Sequence, residues 1–120
     1  MRVTLFLLIL FWLGCTKSYA QTIDGIAFKD LEYLEIVGKA KSLSPKQFIG
    51  IEYGQEKTSL LYPYKNTKIK DAEGNVLEFN YMIEALNFMV RNGFEFVQAY
   101  TSIEDEQSVY HYLLKKKKQD

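Results

Sequence analysis

Asp71-Ala-Glu-Gly-Asn-Val-Leu-Glu-Phe-Asn-Tyr-Met-Ile-Glu-Ala-Leu-Asn-Phe-Met-Val-Arg-Asn-Gly-Phe-Glu-Phe-Val-Gln-Ala-Tyr100 decides how this chain folds. It reads as turn, short strand, capped helix, sharp stop and strand. Gly74 supplies the positive φ that a tight turn after Asp71 needs, so residues 68–70 and 76–79 form a small hairpin. Asn80 is the expected N-cap, its side-chain oxygen accepting from a free N–H of the first turn. The helix spans 81–92. Met82, Ile83, Leu86, Met89 and Val90 recur at three- and four-residue steps and predict the buried stripe. Glu84, Asn87 and Arg91 make the polar stripe. Tyr81, Ala85 and Phe88 widen the apolar sector, which predicts a well-covered helix. Gly93 follows where a left-handed residue ends a helix. The strand 94–100 has no plainly polar side: Phe94, Phe96 and Tyr100 share one parity, Val97 and Ala99 the other. That pattern fits a strand covered on both faces, or one with a face left for a partner.

Outward from this stretch, 31–37 and 48–53 read as an antiparallel pair of strands joined through 38–46. Gly50 and Gly54 are candidates for a bulge or a close approach. Residues 59–62 suggest a short strand ended by Pro63, and Ile69 is the anchor of a polar stretch. Residues 101–108, with Glu104, Asp105 and Glu106, read as an exposed loop. Residues 109–114 form the last strand, a long hairpin away from 94–100. Residues 21–30 read as a lead-in and 115–120 as a basic tail. The expected fold is α+β: an antiparallel sheet of about four main strands with one helix packed on one face, in the order strand-strand-helix-strand-strand.

Residues 1–20 read as a secretory signal peptide. Arg2 gives a positive start, 5–13 is a short apolar run, and Ser18-Tyr19-Ala20 places small residues where a signal peptidase reads them. The run is too short to span a bilayer, so no integral membrane span is expected after cleavage. Leu13-Gly14-Cys15 offers an alternative, a lipoprotein signal with a lipid anchor at Cys15. Export to the bacterial periplasm or exterior is expected in both cases. Cleavage after Ala20 leaves a single domain, 21–120, of about 100 residues, enough for one small core. Two of the 15 basic residues, Arg2 and Lys17, fall in the leader and none of the 15 acidic ones, which leaves a charge of −2. That balance speaks against nucleic acid as a partner. Cys15 is the only cysteine, so neither a disulfide nor cysteine ligation is expected in the mature domain.

The stretch 71–118 resembles a group of small secreted bacterial proteins of unknown function. The matching residues are Asp71 and Gly74, Phe79-Asn80, Ala85-Leu86-Asn87, Gly93-Phe94-Glu95-Phe96-Val97, and the Tyr-His-Tyr-Leu-Leu-Lys-Lys run from Tyr110 to Lys116. The group has tryptophan where this chain has Phe94. Phenylalanine keeps the bulk and loses the indole N–H. The resemblance implies the fold and carries no activity, cofactor or partner with it.

Candidate sites are few. His111 is the single histidine. It shares a parity with Val109 and Leu113, and a structural or surface role outweighs a catalytic one because Ser108 lies at a loop edge and the sequence places no acid to orient the ring. Glu95, between two phenylalanines, is expected to pair with a lysine of the last strand or to cap backbone donors. Glu104 to Glu106, and Asp71, Glu73 and Asn75, offer oxygens without the spacing of a calcium loop, so no metal or cofactor is expected. The lysine run at 115–118 reads as a solubility tail. Asn80, Gly93 and Glu95 are thus structural, and Phe94, Phe96, Tyr100, Tyr110 and Tyr112 form a candidate interaction surface. The expected function is a non-enzymatic binding or protein-interaction module, acting on an unknown protein partner or as a homodimer. The alternatives are an inhibitor or accessory subunit of an exported enzyme, and a small hydrolase using His111 with Glu95 or a tyrosine.

Overall fold

A computed structural model describes residues 20–56 and 67–118. The expected leader as far as residue 19, with Cys15, and the strand expected at 59–62 lie outside the described residues. The elements in chain order are β1 (Thr22–Ile23), β2 (Ile26–Ala27), a 3₁₀ turn (Phe28–Asp30), β3 (Tyr33–Ala40), β4 (Gln47–Glu52), β5 (Ile69–Lys70), β6 (Val76–Leu77), α1 (Met82–Arg91), β7 (Phe94–Glu104) and β8 (Gln107–Lys116). The class is α+β with antiparallel pairing throughout.

There are two four-stranded sheets, where one was expected. The main sheet runs β4-β3-β8-β7 and a minor sheet runs β2-β1-β5-β6. The minor sheet comes from the stretch read as a lead-in. Asp24 and Gly25 both have positive φ (49° and 83°), the conformation of a two-residue hairpin turn that Asp-Gly favours. Its strands are too short for alternation to show. The hairpin expected across Asp71–Asn75 is β5–β6, and it completes this sheet. Asp24 then ties the two sheets together. Its carboxylate accepts from the Lys68 N–H (2.8 Å) and from the Tyr53 hydroxyl just beyond β4 (2.7 Å).

The helix departs from expectation at its start and in its buried face. Tyr81, with extended backbone, is the N-cap residue, and no side chain caps from that position. Asn80 does not cap. Gln47 on β4 accepts from the Met82 N–H (3.4 Å), and Glu84 reaches back to the Asn80 N–H (2.9 Å). A neighbouring strand thus supplies what a local cap would have supplied. The buried stripe is Met82, Ala85 and Met89, with Leu86 and Phe88 partly covered, while Ile83 and Val90 are exposed. The helix is turned so that its small residue, Ala85, meets the sheet. Gly38 of β3 lies beneath, and a Cβ there would stand 2.5 Å from Met82 Sδ. The stop is as expected: Gly93 has φ +94°. Lys116 Nζ donates to the Asn92 carbonyl (3.2 Å), satisfying a group at the negative end of the helix.

The core lies between the helix face of the main sheet, α1 and the minor sheet. Leu34, Ile36, Ile51 and Leu114 meet Met82, Ala85 and Met89, and Ile23, Phe28 and Ile69 close the side. Phe28 packs edge-on against Phe88 (6.1 Å) and Phe94 (5.6 Å), pinning the last turns of α1 and the start of β7 to the 3₁₀ turn.

The expected exposed loop at 101–108 is also different. β7 runs to Glu104, and only Asp105 and Glu106 turn the chain, both with positive φ (47° and 63°). Lacking glycine, this turn does not announce itself. The basic tail correspondingly begins at Lys117, because Lys115 and Lys116 are part of β8.

Candidate functional site

Register decides which side chains meet on the sheet face away from α1. Val37 pairs with His111, and His111 with Tyr100; Lys39 pairs with Val109, and Val109 with Ser102. Cross-strand partners share a face. Glu35 lies two residues from Val37 and so projects on that face too. Val97 is an extra residue in β7, where the ladder shifts between Phe96 and Gln98. One extra residue reverses parity. Phe96 and Tyr100, expected on one face, therefore lie on opposite faces.

Four of these side chains form a closed polar cluster. His111 is 5% exposed. Its Nε2 is 2.8 Å from Ser102 Oγ and its Nδ1 is 3.1 Å from Glu35 Oε2. The Tyr100 hydroxyl donates to Glu35 Oε1 (2.6 Å), and its ring stacks on the imidazole at 4.4 Å and 2°. With Nδ1–H donating to Glu35, Nε2 accepts the Ser102 hydroxyl, and every ring nitrogen has a partner. Among the described residues no buried side-chain polar atom lacks one. Sequence reasoning missed Ser102 and Glu35. Glu35 is 76 residues away from His111 along the chain, and only strand pairing brings it there. Glu95 instead pairs with Lys115 (3.4 Å), the cross-strand role expected of it. Both are well exposed, so that pair adds little stability.

A second feature is the outer edge of β7. In an antiparallel ladder alternate residues direct both backbone groups to the same neighbour. The Lys116 N–H bonds to the Glu32 carbonyl, so even-numbered residues of β8 face β3 and odd-numbered ones face β7. Gln98, Tyr100, Ser102 and Glu104 of β7 bond back to β8. Ala99, Thr101 and Ile103 direct their N–H and C=O groups outward. Among the described residues no strand pairs with this edge. Apolar side chains flank it: Ile103 is 78% exposed, and Phe96, Val97 and Tyr110 are each more than two-fifths exposed. Of the residues expected to form an interaction surface, Phe96, Tyr100 and Tyr110 are exposed. Phe94 is fully buried in the core, and Tyr112 is half-buried, edge-on to Phe96 at 5.8 Å.

At the other edge of the main sheet, a groove of about 630 Å³ separates β4 from the β5–β6 hairpin; Phe48, Ile49, Leu77 and Asn80 line it. Half-burial, together with the hydrogen bond and charge of Asp24, pushes the Tyr53 hydroxyl up to about 12. Asp71 is held below the ordinary carboxylate range, foremost by the Asn75 N–H. Among the described residues no group of three or more histidine, cysteine or acidic side chains could hold a metal ion, and no helix is long and apolar enough to cross a membrane.

No family model, curated protein or solved structure matches the chain.

Proposed function

We propose that this chain is an exported, non-enzymatic protein-interaction module whose working surface is the outer edge of β7. The observation that carries the reading is the coincidence of backbone at Ala99, Thr101 and Ile103 that no strand among the described residues pairs with, and exposed Phe96, Val97 and Ile103. A long apolar edge invites an added strand: backbone hydrogen bonds give affinity and alternate side chains give specificity. The export half rests on the leader-like residues 1–20 alone. A photo-crosslinking residue at position 103, in cells that make the protein, tests the reading. A discrete adduct that competes with excess unlabelled protein is expected; no adduct at all would contradict it.

The polar cluster favours a second reading. Ser102, His111 and Glu35 stand in the order hydroxyl, imidazole, carboxylate that acyl transfer uses. Hydrolysis also needs space for the acyl group and donors for its oxyanion. The Tyr100 ring stacks over the imidazole, and both ring nitrogens are already partnered within the cluster. The cluster is therefore read as a structural network. Turnover of a p-nitrophenyl ester that disappears in Ser102→Ala would reverse that judgement.

A further inference from the structure

We infer that the occupant of the β7 edge is a second copy of this chain, paired antiparallel about a two-fold axis at Thr101. The inference rests on the interaction-edge reading and names its partner. Self-pairing of a two-fold kind requires that the edge complement itself when reversed. The outward residues do so: Thr101 meets Thr101, and Ala99 meets Ile103, so each exposed isoleucine lies against a small apolar residue. The bulge at Val97 ends the regular edge on one side and the turn at Asp105 ends it on the other, which leaves one short register.

Charge supports the same orientation. The tip of the β7–β8 hairpin carries Glu104, Asp105 and Glu106, and its base carries Lys115 through Lys118. Glu104 is engaged by Lys39, and Lys116 by the Asn92 carbonyl. Asp105, Glu106, Lys117 and Lys118 are exposed. Reversal sets the acidic tip of each copy beside the basic base of the other. In the Thr101-centred register, Asp105 of one copy stands opposite Val97 of the other. That is two residues, ~7 Å along the strand, from the charge-balanced Glu95–Lys115 pair, so the exposed Lys117 and Lys118 beyond it supply the positive charge of the base. Parallel pairing would set acid against acid. An unrelated strand would gain the backbone bonds but not this match at both ends.

Sedimentation of the purified protein over a wide concentration range tests the inference, with three variants. Thr101→Pro removes an outward N–H without touching the β7–β8 ladder, and Ile103→Lys places a charge on the edge. A concentration-dependent dimer is expected for the wild type. Each edge variant should weaken it by roughly tenfold or more while leaving the thermal melt near the wild-type value. Glu106→Lys should weaken it less, and salt should weaken the wild type but not that variant's tip contact. A strict monomer at all concentrations overturns the inference, as does a dimer indifferent to both edge variants. If Thr101→Pro fails to fold, Ile103→Lys decides. A monomer that still yields a crosslink from position 103 to a different protein sinks the homodimer alone. A monomer with no crosslink sinks the interaction-edge reading too.

Discussion

Single residues set the tightest constraints on this fold. Gly38 admits the helix, and adding one methyl there forces Met82 or the backbone to move. Gly38→Ala should cost about 1–3 kcal/mol in a denaturant titration. Pairing it with Met82→Ala should recover part of that loss, because the two side chains compete for one space. On the other face, Glu35→Ala leaves the buried His111 without its Nδ1 partner and should cost roughly 1–3 kcal/mol. Glu35→Gln retains an acceptor for the ring and should cost less. Asp71 gives a pH test. Its folded value is depressed, so its contribution is present above the ordinary value of 3.8 and disappears as pH falls through the folded value. Asp71→Ala should therefore be less stable than wild type at neutral pH, with the gap closing in acid. Tyr53 works the other way. Its contribution is present below 10.0 and is lost as pH rises toward about 12, so Tyr53→Phe should remove that alkaline decline.

Among the elements, the β7–β8 hairpin depends on a turn that two non-glycine residues hold at positive φ. Glu106→Gly should raise stability by roughly 0.5–1 kcal/mol, the relief of a left-handed residue less the added freedom of the unfolded chain. At the helix stop, Gly93→Ala should lower it by about 1 kcal/mol or more, since φ is +94° and a methyl meets Lys116 Nζ. A thermal melt reads both. The same elements show what a sequence can reveal. Gly93 and Gly74 were legible because positive φ leaves glycine as a local mark. The strands at 94–100 and 109–114 were legible from their aromatic and β-branched runs. The Asp105–Glu106 turn was not, because it lacks the glycine that such turns favour. The helix was legible in extent, but not in its rotation, nor in its cap. Those depend on Gly38 and Gln47, which only the folded sheet brings to it.

For the whole molecule, the organising principle is a main sheet with unlike faces. One face carries α1 and the minor sheet over the apolar core. The other carries the Glu35, Tyr100, Ser102 and His111 cluster beside buried Val37 and Val109. The cluster was illegible in the sequence because its members come from three strands. Side-chain exposure was legible at only some of the positions read as a surface. Phe96, Tyr100 and Tyr110 are exposed, but the parity that joined Phe96 to Tyr100 ignored the bulge at Val97, and Phe94 proved to be core. A bulge is a feature of pairing, and a lone strand does not display it. Among the described residues the outer edge of β7 has no partner strand, and amide hydrogen exchange at that edge tests the account most directly. Gln98, Tyr100 and Ser102 should be protected at every protein concentration, while Ala99, Thr101 and Ile103 should exchange fast when dilute and become protected as concentration rises. Fast exchange at these three positions at all concentrations would contradict the account.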